Sequence, residues 1–272
     1  MGGASKARTR EELPENSVLG NLDYPWDAFD SEAYLKKNYA TILTDDLRIL
    51  EFVRKFFADI DRPVDGKGID VGTGSNLYPA LAMLPYCEKV TLYEYSSSNV
   101  EWLRTQCRDN WPSWKEVWQK FWDRLSDKPE YSGFVGWEPR TELTDRTEVV
   151  QGSVFDLDPA VRRYDIGTMF FVAESISPQE DEFASAMGHF LDILLPDAPF
   201  AIALMEHSTG YDVAGTGFPS TNIGEPEVLD ILRQRASNIR VNRFGVPSRP
   251  LRHGYTGMII ACGQVKGDDL GV

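Results

Sequence analysis

The chain has 272 residues, 42% hydrophobic and 26% charged, a balance that lets a globular protein bury a core and excludes disorder as its main state. Its 28 Lys and Arg against 42 Asp and Glu leave a net charge of −14. That removes the basic footprint a nucleic-acid or anionic-membrane binder needs, so small molecules, cationic ones included, become the default partners. Cys87, Cys107 and Cys262 lack CxxC spacing, which argues against a disulfide framework or a structural zinc site and fits a reducing cytoplasm.

Residues 1–20 mix Gly, Ser and charges without periodicity and are expected to form a flexible arm. They show no signal-peptide core, and no later apolar run approaches the ~20 residues of a membrane helix. A single domain is expected over 21–272, opening with a lid and helices over 21–60. There Tyr24, Trp26, Phe29, Tyr34 and Tyr39 crowd together, and Asp30 or Ser31 can cap a helix carrying the last two. A second helix is predicted from Thr44 or Asp45, with Leu47, Leu50, Phe52, Val53 and Phe56 on its apolar face.

A strand over 68–72 then enters a glycine turn and a helix over 77–86. A strand over 89–94 leads into a helix from Ser97 or Ser98 to Cys107. Further strands are predicted over 148–151, 166–172, 200–205, 239–246 and 258–263, with helices over 181–195 and 225–236. This alternation predicts an α/β fold with a mostly parallel sheet covered on both faces. Two stretches interrupt it. Residues 110–146 carry Trp111, Trp114, Trp118, Trp122 and Trp137, the first four at helical spacing that reads as packing. Residues 207–224 are rich in Gly, Ser and Thr and follow a strand end, where open α/β sheets bind ligands.

The sharpest local signal is Asp70-Val71-Gly72-Thr73-Gly74-Ser75 between a strand and a helix. Its glycines let backbone approach a ligand, and amides at the following helix start favour a carboxylate or phosphate. About 20 residues on, Glu94 closes the next strand, where a carboxylate accepts ribose hydroxyls. Leu77 occupies the third glycine position of the dinucleotide pattern and no Walker A run exists. S-adenosylmethionine is then the expected cofactor and S-adenosylhomocysteine the product.

GIDVGTGSNLYPAL and VTLYEYSSSNVEWL, preceded by FDSEAYLKKNY, resemble the nicotinamide, phenylethanolamine and indolethylamine N-methyltransferase family. The likeness is densest from Trp26 to Asn110 and looser from Glu148 onward. It implies a Rossmann-like class I methyltransferase fold with a seven-stranded sheet. It also implies a lid with Tyr34 and Tyr39, an amino-acid end formed by Gly72, Thr73, Gly74 and Tyr78, and a ribose held by Glu94. Tyr95 is implied beside the adenine, Asn99 at the amino-acid or ribose side, and Phe170 at the end of strand four. Ser153 and Val154 match the family's Asp-Val pair around the adenine; Asp is replaced by Ser, and Asp156 is the alternative acid.

On the substrate side the resemblance makes Glu206 a strand-end acid facing the acceptor nitrogen and Ser220 a pocket residue. Gly210 lacks a side chain found in the nicotinamide enzyme, which implies a pocket built for another acceptor. Methyl transfer from a sulfonium needs positioning and water exclusion rather than a metal. Glu206 is the candidate proton acceptor or cation anchor and Tyr34 a second catalytic candidate, with His207 a further one beside His253; His189 reads as structural. Trp26, Tyr24, Tyr34 and the Trp-rich insertion are candidate aromatic walls. The expected reaction is transfer to nitrogen of a small amine or N-heteroaromatic, and the alternative is transfer to carbon or oxygen of an indole or phenol. Neither nucleic acid nor membrane is expected as a partner; the sequence leaves the oligomeric state open, with a monomer plausible.

Overall fold

A computed structural model describes residues 19–60, 66–127, 131, 138–161, 163–246 and 254–267. Trp137, His253 and residues 1–18 of the expected arm lie outside them. Leu19 and Gly20, at the end of that arm, are docked: Gln179 Nε2 donates to Leu19 O at 3.0 Å.

The elements run α1 (Ser31–Tyr39), α2 (Thr44–Ala58), β1 (Gly66–Val71), α3 (Tyr78–Met83), β2 (Cys87–Glu94) and α4 (Ser97–Arg108). Then come α5 (Gln119–Ser126), α6 (Pro139–Arg146), β3 (Thr147–Gln151), β4 (Ile166–Phe170), α7 (Glu180–Asp192) and β5 (Pro199–Glu206). A small hairpin, β6 (Tyr211–Val213) and β7 (Thr216–Phe218), precedes α8 (Glu225–Arg235), β8 (Ala236–Gly245) and β9 (Gly257–Val265). The main sheet has seven strands in the order β3-β2-β1-β4-β5-β9-β8. All neighbours pair parallel except β9, which runs antiparallel to both β5 and β8. This is the Rossmann-like arrangement, with its order reversing between β1 and β4, where such sheets open a ligand crevice.

Caps explain the helix starts. Asp30 accepts from Ala33 N at 2.8 Å ahead of α1, and Ser96 Oγ accepts from Asn99 N at 3.4 Å ahead of α4. Alternation along the buried strands splits the core in two. In β5, Ala201, Ala203 and Met205 join α1 to α3 and the Trp-rich segment on one face, whereas Phe200, Ile202 and Leu204 meet α7 and α8 on the other.

Several boundaries differ from expectation. The helix predicted over 77–86 ends at Met83 and passes into a tight turn over Leu84–Tyr86 that includes Pro85. The helix over 181–195 ends at Asp192. The strand over 166–172 stops at Phe170 because Phe171 turns to a φ of +61°. Trp111, Trp114, Trp118 and Trp122 are buried, with a wide π-type turn over Trp114–Trp118. Trp118 lies 5.6 Å from Tyr39, and Phe121 stacks on Tyr78 at 5.3 Å, so this segment buttresses α1 and α3 from behind.

Candidate active site

The glycine turn leaves β1 with positive φ at Gly72 (+67°) and Gly74 (+51°). A Cβ on Gly72 would stand 2.4 Å from Val172 Cγ2, so both conformation and space require glycine there. Gly72 N donates to Tyr93 O at 2.7 Å, and Thr73 Oγ1 to Asp70 O at 3.0 Å. Beneath the turn Asp70 is buried, with Oδ1 accepting from Thr168 Oγ1 at 2.7 Å. Burial raises its carboxyl to about 7 against the opposing bonds from Thr168 and Thr73.

Glu94, 6% exposed, ties the turn to α4. Its Oε2 accepts from Gly74 N at 2.8 Å, and its Oε1 from Ser96 N at 2.9 Å and Asn99 Nδ2 at 3.4 Å. Burial raises its carboxyl, while these bonds pull the other way by favouring the charged form. The same corner holds the N-terminal segment. Ser31 Oγ donates to Asn99 Oδ1 (2.6 Å), Ser96 Oγ to Trp26 O (2.8 Å), Ser97 N to Asp27 Oδ1 (2.8 Å) and Ser98 Oγ to Phe29 O (2.9 Å).

A cleft opens over this corner. Among the predicted cofactor residues, Tyr34, Tyr39, Gly72, Thr73 and Gly74 line it, as do Glu94, Tyr95, Asn99, Ser153, Val154 and Phe170. Tyr78 does not: it is fully buried behind the wall against Phe121. Asp156 is not on the lining either. Trp26 lines the cleft and stacks on Phe218 at 5.2 Å; Phe218 in turn stacks on Tyr211, another lining residue, at 5.4 Å. The β6–β7 hairpin and the N-terminal segment thus meet as a roof. Tyr24 packs on Trp26 at 6.2 Å without reaching the lining, and no insertion tryptophan among the described residues reaches it.

A second, much smaller chamber of about 20 Å³, room for about one water molecule, shares Tyr34, Tyr39 and Phe171 with the cleft and adds Asn38, Asp46, Met205 and Met258. Sequence reasoning missed Phe171 and Asp46. A bulky residue at positive φ is unusual and costly, a strain that gathers at functional sites, yet nothing in the sequence signals it. Asp46 reads in sequence as an ordinary first-turn acid of α2. The lining residues Asn21 and Ser175 also escape a reading of the sequence, and Ser75 and Asn76 belong to the glycine-turn segment without a role being assigned to them there.

The substrate-side expectations need correction. Glu206 lines neither cavity. Arg243 Nε donates to both its oxygens, at 2.7 and 2.8 Å, and Thr256 Oγ1 donates to Oε2 at 2.6 Å. The guanidinium and these bonds hold its carboxyl below the usual range, so it is a poor proton acceptor near neutral pH. Ser220 Oγ is turned to Glu174 O at 3.0 Å. His207 is exposed, with Nδ1 2.9 Å from Asn222 Oδ1; neither residue is on the lining. His189 Nδ1 lies 3.0 Å from Leu157 O on the far side of the sheet.

The cleft suits S-adenosylmethionine on its own observations. Ser75 Oγ, Asn76 Nδ2 and Tyr78 OH are buried and hydrogen-bonded to nothing among the described residues, although the Asn76 amide lies near enough to Tyr78 oxygen to favour its charged form. Ser75 and Asn76 line the cleft, and buried polar atoms left without partners are what a polar ligand end satisfies. Since α3 spans six residues, these side chains rather than its helix start supply the polarity.

Comparison with known proteins follows the same line. The model of the NNMT/PNMT/TEMT family matches residues 17–250. No curated protein matches the sequence significantly. The N-methyltransferase NodS from Bradyrhizobium japonicum WM9, solved with S-adenosyl-L-homocysteine, is 11% identical, with 88% of this chain and 94% of that chain covered and a TM-score of 0.50. A S-adenosylmethionine-dependent methyltransferase from Clostridium acetobutylicum ATCC 824 is 9% identical over 84% of this chain and 94% of that one, with a TM-score of 0.50. The 1,6-didemethyltoxoflavin-N1-methyltransferase of Burkholderia thailandensis is 16% identical over 82% and 80%, with a TM-score of 0.48. At such identities the two structures with a TM-score of 0.50 speak for the fold alone. The family match spans most of the chain, and the chain belongs to the NNMT/PNMT/TEMT family of S-adenosylmethionine-dependent methyltransferases.

Proposed function

We propose that the enzyme methylates a nitrogen of a small amine or N-heteroaromatic acceptor held beside the cofactor at the aromatic end of the cleft. The observation that carries this reading is the cleft itself, which joins a polar corner at Glu94, Ser75 and Asn76 to an aromatic end formed by Trp26, Phe29, Tyr34, Phe171 and Tyr211. Family membership supports the same reaction class.

S-adenosylmethionine, when bound, supplies the electrophilic methyl of a sulfonium. In this reading Glu94 takes the ribose, Ser75 and Asn76 the amino-acid end, and Ser153, Val154 and Tyr95 the adenine. Trp26, Tyr211 and Phe218 close the roof and exclude water, and Tyr34 and Phe171 orient the acceptor, so positioning provides much of the acceleration. Aromatic faces also favour an acceptor with cationic character. Glu206 has no part in this arrangement.

Incubation with S-adenosylmethionine carrying a 13C methyl and a panel of arylethylamines, indole-ethylamines, pyridines and phenols tests the reading by product NMR. Label on nitrogen is expected; label on carbon or oxygen, with amines left unmodified, contradicts it.

A further inference from the structure

The roof of the cleft is fastened from outside it. Residues 19–29 run as a strap across the crevice from α7 to α4. At the α4 end Ser96 Oγ donates to Trp26 O, Ser97 N to Asp27 Oδ1 and Ser98 Oγ to Phe29 O. The chain then enters α1, itself tied to α4 by the buried bond from Ser31 Oγ to Asn99 Oδ1 and by Trp102 Nε1 donating to Glu32 Oε2 at 3.2 Å. At the α7 end Asn21 N donates to Glu182 Oε2 at 2.9 Å and Gln179 Nε2 to Leu19 O at 3.0 Å, both part-buried. One end of the strap is continuous with the folded body, and the other is held by side chains that can let go.

Glu182 presses both oxygens against the strap. Oε2 takes the Asn21 amide, and Oε1 lies so close to Gly20 that a Cβ there would stand 2.9 Å from it. From Asn21 the contact passes into the roof. Asn21 is buried and lines the cleft, and its carbonyl accepts from Trp26 Nε1 at 2.7 Å. Trp26 stacks on Phe218, which stacks on Tyr211. Glu182 is off the lining, so it reaches the cleft through Asn21 and Trp26. The start of α7 does not depend on it for charge, because Glu180 and Asp181 bring exposed carboxylates to the same first turn. A bond at a half-buried site opens at far lower cost than the packed core, as a gate requires.

We propose that Glu182 is a positioning residue for the roof, and that the cleft opens to the cofactor at the α7 end of the strap when the bond to Asn21 breaks. This rests on the reading in which Trp26, Tyr211 and Phe218 close over bound S-adenosylmethionine. With Glu182 engaged, Trp26 is held on Phe218 and the cofactor is shut in. With it released, the strap swings on its α4 end and cofactor or product passes. Loosening this latch speeds entry and exit together, whereas the loss of a ligand contact speeds exit alone.

Stopped-flow tryptophan fluorescence on the full chain tests this with S-adenosylhomocysteine as the probe, since Trp26 lines the cleft. The slope of the observed rate against concentration gives entry and its intercept gives release. Glu182→Ala is expected to speed release by about threefold or more, the scale of a partly exposed hydrogen bond to a charged group, with entry no slower than in the wild type. Glu182→Gln keeps an acceptor oxygen for Asn21 N and should stay within about twofold of wild type. Glu180→Ala, which removes the same charge from the same turn, should do the same. A smaller change in Glu182→Ala, slower entry, or Glu182→Gln or Glu180→Ala as fast as Glu182→Ala overturns the proposal. So does a lower Tm with both rates unchanged, the result of a contact that is structural alone. If Glu182→Ala does not fold, Gly20→Ala decides: its backbone at φ −102° accepts alanine, its methyl displaces the Glu182 carboxylate, and release must quicken likewise. Unchanged rates remove the latch and leave the cofactor cleft standing. A wild type that does not bind the probe overturns both.

Discussion

The cofactor cleft and the small chamber beside it share three aromatic residues and are built on opposite principles. The cleft is assembled from short contiguous runs, Val71 to Asn76 and Tyr93 to Asn99, knotted by backbone amides onto Glu94. The chamber draws single residues from α1, α2, the end of β4, β5 and β9, joined by packing rather than by a motif. One region ties its two runs together at Glu94 and leaves Ser75 and Asn76 without partners among the described residues; the other leaves Asp46 without a cation. Compact local architecture can thus hold a common cofactor, while side chains drawn from distant elements change independently.

The largest effect is expected where the cleft's polar network converges. Glu94→Ala removes the acceptor of three hydrogen bonds to Gly74, Ser96 and Asn99 as well as the proposed ribose ligand. Affinity for S-adenosylhomocysteine should fall on the order of 100-fold or more in calorimetry, given about 1.5–3 kcal/mol for each hydrogen bond to a charged group. Undiminished binding would break the assignment of the cleft.

Phe171→Ala strikes the shared wall. Roughly tenfold weaker binding is expected for both S-adenosylhomocysteine and an amine acceptor, in line with the loss of ~1–2 kcal/mol of aromatic contact at each. A loss confined to one ligand would show that the two ligands do not share this wall in the working enzyme.

Stability against pH sharpens the contrast further. Asp46 has a folded value of about 7, raised from 3.8 chiefly by burial. Between those values the folded state holds a proton that the unfolded state has released. Its contribution is therefore fullest below about 3.8 and is lost as pH rises through about 7. Asp46→Asn should raise the thermal midpoint at pH 8 relative to wild type, by about 2–4 °C for each kcal/mol regained. Its advantage should shrink toward pH 4 in scanning calorimetry. A variant less stable than wild type at pH 8 would mean that the carboxylate has a cationic partner after all.

The smallest effect is expected at Glu206. With its carboxylate held by Arg243 and Thr256 away from both cavities, Glu206→Gln should change kcat/KM for an amine by less than about threefold, roughly 0.7 kcal/mol. A hundredfold loss with unchanged cofactor affinity would return Glu206 to the acceptor site.

The same division separates what the amino-acid sequence reveals from what it hides. Alternating strands and helices, the Asp30 and Ser96 caps and the strand-turn-helix around Gly72 are local patterns, so the chain's own order places residues 70–76 and Glu94 together. The reversal of strand order that opens the cleft follows only from the family likeness. The pairing of Glu206 with Arg243 lies outside any local pattern, because β8 reaches β5 only through β9. Phe171 and Asp46 are hidden for different reasons: backbone strain at an aromatic residue leaves no mark in composition, and a buried acid in a first helical turn looks like a solvated one. The Trp-rich segment is legible as packing because helical spacing of large rings signals burial, though its π-type turn gives no such signal.

The central claim is that cofactor and acceptor meet in one cleft under its aromatic roof. A crystal structure of the full chain with S-adenosylhomocysteine and 2-phenylethylamine tests it most directly. The account expects the homocysteine compound over Gly72 to Asn76 with its ribose at Glu94, and the amine against Trp26, Tyr34 and Phe171 in the same cleft. An amine bound at Glu206 or His207, outside the cleft, would contradict it.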